Sequence, residues 1–241
     1  MKRSFDPAVL EMMDRPQPVS AELERDLERL RQLNRWFGSH RLVLNFMRRW
    51  IRPRTRTRIV DLATGSGDIP RLIANYARGI RAQVEIDALD RQSATLEIAR
   101  KLSSSYPEIC YRQADILEWN SGETYDVALC TLALHHFSDE DAVSVLRQCH
   151  QLSRGFVLVS DLRRGLLLRT GVYLLTALIF REPMTRHDAR LSAVRSFSPS
   201  EMRNLALRAG WKHFGHKKFR FARQAMWLEK VDNSRHASNE R

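Results

Sequence analysis

Carboxylates and glycines at the ends of apolar runs carry the first chemical signal in this sequence. The run Arg58–Asp68, RIVDLATGSGD, closes on Gly65 and Gly67 and holds Asp61 inside it. About twenty residues on, VEIDALD ends on Asp90. Glycines let a main chain approach a ligand closely, and an acid at the tip of the following strand accepts hydrogen bonds from ribose hydroxyls. The pair therefore suits a nucleoside-bearing cofactor. A third acid, Asp115, follows ICYRQ with Ile116 beside it, and TYDVALCT ends on Thr131 shortly before His135 and His136. A histidine just past such an end is a candidate base for an acceptor proton. His136 is the first candidate, with His135 expected to point elsewhere. His187 and Asp188 form a second candidate, a His–carboxylate pair able to activate a phenol.

These residues need elements to hold them. Apolar runs at 58–63, 84–89, 109–113, 126–131 and 156–160 read as strands, with helical patterns between them at 69–77, 93–102 and 138–152. The fourth run is rich in apolar residues, as a strand covered on both faces should be. Alternating strands and helices imply a parallel sheet with helices on both faces, and such sheets bind ligands at the carboxyl ends of their strands. Asp90, Asp115 and the Gly65–Gly67 turn all fall there. Ser198, Pro199 and Glu201 form a helix start closed by Gly210, and 212–221 with 224–228 reads as a terminal hairpin. The expected fold is α/β and doubly wound, its seven-stranded sheet mostly parallel. Upstream, residues 1–19 read as a loose arm. Leu23, Leu27, Leu30, Leu33 and Phe37 mark one helix, and Leu42, Leu44, Phe46, Met47, Trp50 and Ile51 the buried face of another. The expected division is an arm with lid helices (1–53), a cofactor core (54–162), an inserted cap (163–197), the last helix and hairpin (198–230) and a disordered tail (231–241).

The run Asp61–Asp68 resembles the first motif of class I S-adenosylmethionine-dependent methyltransferases rather than the dinucleotide fingerprint. The third glycine of that fingerprint would fall at position 70, which is Pro70. Asp90 stands where the family places its ribose-binding acid, Asp115 where it places the residue facing the adenine amino group, and TYDVALCTLALHHF is similar to the fourth-strand motif below the sulfonium. The resemblance covers about Arg58 to Leu162. It implies a Rossmann-like methyltransferase fold, S-adenosyl-L-methionine as cofactor, and a binding set of Asp61, Ala63, Gly65, Gly67, Asp90, Arg91, Asp115, Ile116 and Thr131. Asp61 would serve the methionine end. The core is similar to ubiquinone/menaquinone-biosynthesis methyltransferases and other methyltransferases of lipid-like secondary metabolites, which implies oxygen or carbon of a small hydroxylated, aromatic or lipid-like acceptor. The alternatives are an RNA or other macromolecule methyltransferase and a non-catalytic cofactor-binding protein. The D/N-P-P-[YF] motif of base-amino methyltransferases is replaced here by TLALHHF.

Composition bounds the partners. The net charge of +12, from 40 Lys and Arg against 28 Asp and Glu, favours anionic partners. The basic residues are spread out and form no nucleic-acid arm, so a small-molecule acceptor is expected, with contact to an anionic membrane and a homodimer as further expectations. The three cysteines, Cys110, Cys130 and Cys149, lack metal-ligand spacing and read as reduced core thiols. A cytoplasmic protein with metal-independent transfer is the resulting expectation. The apolar stretch 165–180 contains Arg169 and Gly171 and falls short of the about 20 residues a membrane span needs. It reads as a lid helix. Leu166, Leu167, Leu168, Tyr173, Leu174, Leu178 and Phe180 are expected to line an apolar pocket, with Arg181, Arg186, Arg190 and Arg195 near an anionic group or solvent.

Overall fold

The structure is a computed structural model and describes residues 2–120, 122–178 and 183–230, leaving aside the side chains at 167, 175, 177 and 178. Seven strands form one sheet: β1 Arg56–Leu62, β2 Gln83–Asp90, β3 Ile109–Gln113, β4 Tyr125–Thr131, β5 Ser153–Leu162, β6 Gly215–Phe219 and β7 Arg223–Glu229. Their order is β3-β2-β1-β4-β5-β7-β6. The first five are parallel, while β7 runs antiparallel between β5 and β6. The chain winds outward from β1 to β3, then returns to β4 on the other side of β1. The strand order therefore reverses between β1 and β4, where an open α/β sheet leaves a crevice for a ligand.

Both faces of the sheet are buried, and β4 shows how. Ala128 and Cys130 face a core with Val143, Leu146 and Cys149 of α5 (Asp139–Leu152) and Met202 and Leu205 of α8 (Pro199–Arg208). Val127 and Leu129 face the opposite core, with Ile69 and Ile73 of α3 (Asp68–Gly79) and Phe46, Met47 and Trp50 of α2 (Ser39–Trp50). Val43 rather than Leu44 completes the buried face of α2. The sequence signals at helix ends act locally. Ser198 and Glu201 make a reciprocal capping box on α8. Ser138 accepts from Asp141 N–H to start α5.

Three segments cover the crevice. Leu23 and Leu27 of α1 (Ala21–Trp36) pack on Ala94 and Ile98 of α4 (Ser93–Leu102). The inserted segment forms α6 (Leu166–Leu178) and α7 (Pro183–Arg195), the second of which the sequence reading leaves without an element. The third segment is the N-terminal arm, and here the expectation of a loose chain is corrected. Met12 and Met13 donate their backbone N–H groups to Asp188 at 2.7 and 3.0 Å. Arg3 donates to the carbonyls of Phe137 and Arg195, both at 2.6 Å, and pairs with Asp139 at 2.7 Å. Among the described residues, no helix is long and apolar enough to cross a membrane. The expected tail at 231–241 lies outside the described residues.

Candidate functional site

The carboxyl ends of β3, β2, β1 and β4 form a continuous crescent along the floor of a cavity of about 800 Å³. That volume lies within the range of small-molecule sites. Gly65 takes φ +56 and Gly67 φ +73, the left-handed region that favours glycine. A Cβ on Gly65 would meet only open space, so the main chain is exposed to the cavity at that point. Gly67 does not line it. A Cβ there would lie 2.0 Å from the Tyr111 hydroxyl, so this glycine lets the turn pack on β3 and start α3. Asp90 clamps the turn from β2. Its Oδ2 accepts from Gly65 N–H at 2.8 Å and its Oδ1 from Gln92 N–H at 2.9 Å. Burial pushes its carboxyl above the usual range, against these two bonds. Ala63, Asp90, Arg91, Asp115, Ile116 and Thr131 all line the cavity.

Asp61 is placed differently from the expectation. It is 1% exposed and sits beneath the turn rather than against the cavity. Its Oδ2 accepts from the Thr64 hydroxyl at 2.7 Å, while Oδ1 has no hydrogen-bond partner among the described residues. Burial raises its pKa to about 7. Its effect on a ligand passes through Thr64, which does line the cavity. The two strands flanking the crevice are each followed directly by a non-glycine residue in the left-handed region, Ala63 at φ 58 and Leu132 at φ 55. Such strain persists only where surrounding structure fixes it, and it gathers at functional sites.

The far end of the cavity is built from histidines and carboxylates. His135 and His136 form a 3₁₀ turn after β4, with ring centroids 4.3 Å apart. His135 is 3% exposed and lines the cavity, contrary to the expectation that it points elsewhere. Its Nδ1 lies 2.7 Å from Oδ1 of Asp161, whose Oδ2 accepts from the His135 backbone N–H at 2.8 Å. His136 also faces the cavity, with Nδ1 2.7 Å from Asp14 and Nε2 3.8 Å from Glu11. Burial opposes charge on this ring, but Glu11 and Asp14 overcome it and raise its pKa to about 10. Its Nδ1 is engaged by Asp14, which holds the ring at the edge of the cavity.

His187 and Asp188 do not face the cavity. Their side chains bond each other at 2.8 Å, His187 is exposed, and Asp188 is committed to the backbone of the arm. Arg195 is likewise structural, donating to the carbonyls of Asp6 and Val9. Arg190 lies over the Tyr173 ring and bonds Thr176. Of the expected apolar lining, Leu168 faces the cavity, together with Val172, while Leu166, Tyr173 and Leu174 are exposed. The side chains of Leu167 and Leu178, and Phe180 and Arg181 entirely, lie outside the described residues. Cys110 is exposed rather than buried, while Cys130 and Cys149 are core thiols, and all three are unpaired.

Residues 59–155 match the family described as Methyltransferase domain. The match marks a methyltransferase domain over that segment. The chain is 35% identical over 81 residues to a 2-phytyl-1,4-naphtoquinone methyltransferase from Thermosynechococcus vestitus, a match that spans about a third of each protein (34% and 35%). Solved structures share its fold. A putative O-methyltransferase from Nostoc punctiforme superposes with a TM-score of 0.62 at 16% identity, over 86% of this chain and 60% of that one. Human N-acetylserotonin methyltransferase, solved in complex with SAM, gives 0.61 at 16% identity, over 87% and 56%.

Three residues at the far end of the cavity escaped the sequence reading, Asp161, Glu11 and Asp14, and a fourth, His135, was expected to point elsewhere. Asp161 carried a usable signal, being an acid at the end of the apolar run of β5, next to β4 in the sheet. Glu11 and Asp14 carried none, because they come from an arm with no periodicity of its own.

Proposed function

We propose that this protein transfers a methyl group from S-adenosyl-L-methionine to an oxygen or carbon of a small, hydroxylated acceptor of aromatic or lipid-like character. The observation that carries this reading is the two-ended cavity. One end offers an open main-chain turn and strand-tip acids, and the other offers imidazoles and carboxylates under an apolar cover of Leu30, Leu33, Phe37, Leu168 and Val172. The residues fit the cofactor. The main chain at Gly65 is open, and Asp90 and Asp115 both line the cavity as acceptors suited to a ribose and an amino group. When bound, the cofactor supplies a methyl group on a positively charged sulfur. The neighbouring relatives bear on the same reading, since the curated one is named for a quinone acceptor and another solved structure carries bound SAH.

The chain's own work is to hold the acceptor in line, keep water out and receive a proton. Holding the two reactants together supplies several kcal/mol of the barrier. The arm, α1 and α6 exclude water. His135 is the group placed to take the proton, because Asp161 fixes its ring through Nδ1 and leaves Nε2 free. The outward face of α6, with Leu166, Tyr173 and Leu174 exposed, supports contact with a membrane surface or a second copy. The unpaired cysteines support a cytoplasmic setting. Calorimetry with S-adenosylhomocysteine tests the cofactor reading. Wild type binds it, and Asp90→Ala weakens it by about 1.5–3 kcal/mol, the cost of losing hydrogen bonds to a charged group. Unchanged affinity in a folded Asp90→Ala protein removes the ribose assignment.

A further inference from the structure

We propose that Glu11, His135 and His136 form a binding site for a divalent transition metal, zinc or iron(II), at the acceptor end of the cavity. One ligand atom from each residue lies within 4.8 Å of the other two. Bonds of about 2.0–2.2 Å bring such atoms to about 3–3.5 Å of one another, so the side chains need close by little more than an ångström. Two imidazoles and one carboxylate are a ligand set for zinc or non-haem iron that leaves coordination positions open.

The surroundings of the three ligands strengthen the assignment. Metal-binding histidines almost always bond a carboxylate or carbonyl through their other nitrogen, which fixes the tautomer and orients the ring. Both histidines here do so. Nδ1 of His135 lies 2.7 Å from Asp161, and Nδ1 of His136 lies 2.7 Å from Asp14. Each ring then has Nε2 as its ligand atom. Glu11 is held in the same way, its Oε1 accepting from the Ser192 hydroxyl at 2.7 Å while Oε2 turns toward His136 Nε2. Glu11 is 2% exposed, an uncommon depth for a carboxylate, and it pairs there with His136 at 3.8 Å. The sequence gives no metal-ligand spacing because Glu11 reaches the histidines only when the arm folds back over the crevice.

All three ligands line the cavity, so the open coordination positions face the space assigned to the acceptor. A metal there would take an acceptor oxygen and favour loss of its proton, with His135 serving as a ligand in place of the base role it has without metal; in this respect the inference deepens and rests on the proposed transfer. Metal binding itself does not depend on it. The experiment uses the full chain, stripped with a chelator and titrated with Co²⁺ and with Zn²⁺, while S-adenosylhomocysteine binding is measured on the same samples. One equivalent of Co²⁺ with visible d–d absorption is expected, displaced by Zn²⁺. Glu11→Gln and His136→Gln should each weaken Zn²⁺ binding at least about tenfold, while His187→Gln leaves it unchanged. No d–d bands in wild type, or wild-type affinity in both ligand variants, overturns the site. Intact homocysteine-product binding without metal binding sinks this inference alone, and metal binding without it sinks the proposed transfer alone.

Discussion

The floor and the roof of the cavity are made by opposite means. The floor is a product of backbone conformation. Gly65, Ala63 and Leu132 in left-handed conformations, with Asp90 bonding two backbone N–H groups, shape the crescent where four strands end. The roof is a product of side chains reaching between distant segments: Glu11 to Ser192, Asp14 to His136, Asp188 to Met12 and Met13. A floor of this kind presents a fixed surface to a ligand, since a strained turn has few alternatives. A roof held by a few polar contacts can open, and a site that must admit an acceptor and release a product needs one wall that does so.

The sharpest way to break the comparison is Gly67→Ala, where the floor has no room to adjust. The substitution puts a Cβ into a left-handed residue and drives it against Tyr111, which is itself bonded to Ser103 at 2.7 Å. Strain and overpacking together should cost about 3–5 kcal/mol in urea unfolding and abolish S-adenosylhomocysteine binding. A stable variant that still binds would show that the floor yields as easily as the roof. Asp61 gives a second test through pH. Its folded pKa of about 7 stands above the ordinary aspartate value of 3.8. Folding therefore takes up a proton between those limits. The contribution to stability is fully present below pH 4, is lost as pH rises through 7, and is flat above that. At 1.4 kcal/mol per unit, wild type should lose up to about 3–4 kcal/mol relative to Asp61→Asn between pH 4 and pH 8. Parallel pH profiles for the two proteins would mean that Asp61 is ionised in the folded state at acid pH.

On the roof, Asp188→Ala should release the arm. Two backbone N–H groups lose a charged acceptor, at about 2 kcal/mol of docking energy. The expected result is trypsin cleavage at Arg15 at least tenfold faster and lower turnover, with S-adenosylhomocysteine affinity within twofold of wild type. Loss of cofactor affinity would tie the arm to the floor. The same division decides what the sequence reveals. The floor is legible because its turn, acids and strand ends lie in consecutive β–α units, each with a local pattern. The Ser198–Glu201 cap is legible for the same reason. The roof is not, since His136 meets Asp14 122 positions earlier. Nor does α7 announce itself. Its buried positions are Met184, Thr185, Asp188, Ser192, Ala193 and Arg195, most of them polar, so no apolar periodicity marks the helix.

Ala63→Gly is the gentlest probe and the most specific to the argument. A non-glycine residue at φ 58 bears a conformational cost of about 1 kcal/mol. Glycine removes that cost but gains freedom in the unfolded chain worth about the same. The two effects should nearly cancel, leaving stability within about 0.5 kcal/mol of wild type and cofactor affinity unchanged. Ala63→Val, with a branched Cβ in the same conformation, should be destabilised and bind poorly, because the left-handed geometry is what the turn requires. If glycine at 63 instead cost several kcal/mol, the Ala63 methyl would be acting as a contact. The floor would then depend on side chains as the roof does, and the distinction between the two walls would lose its basis.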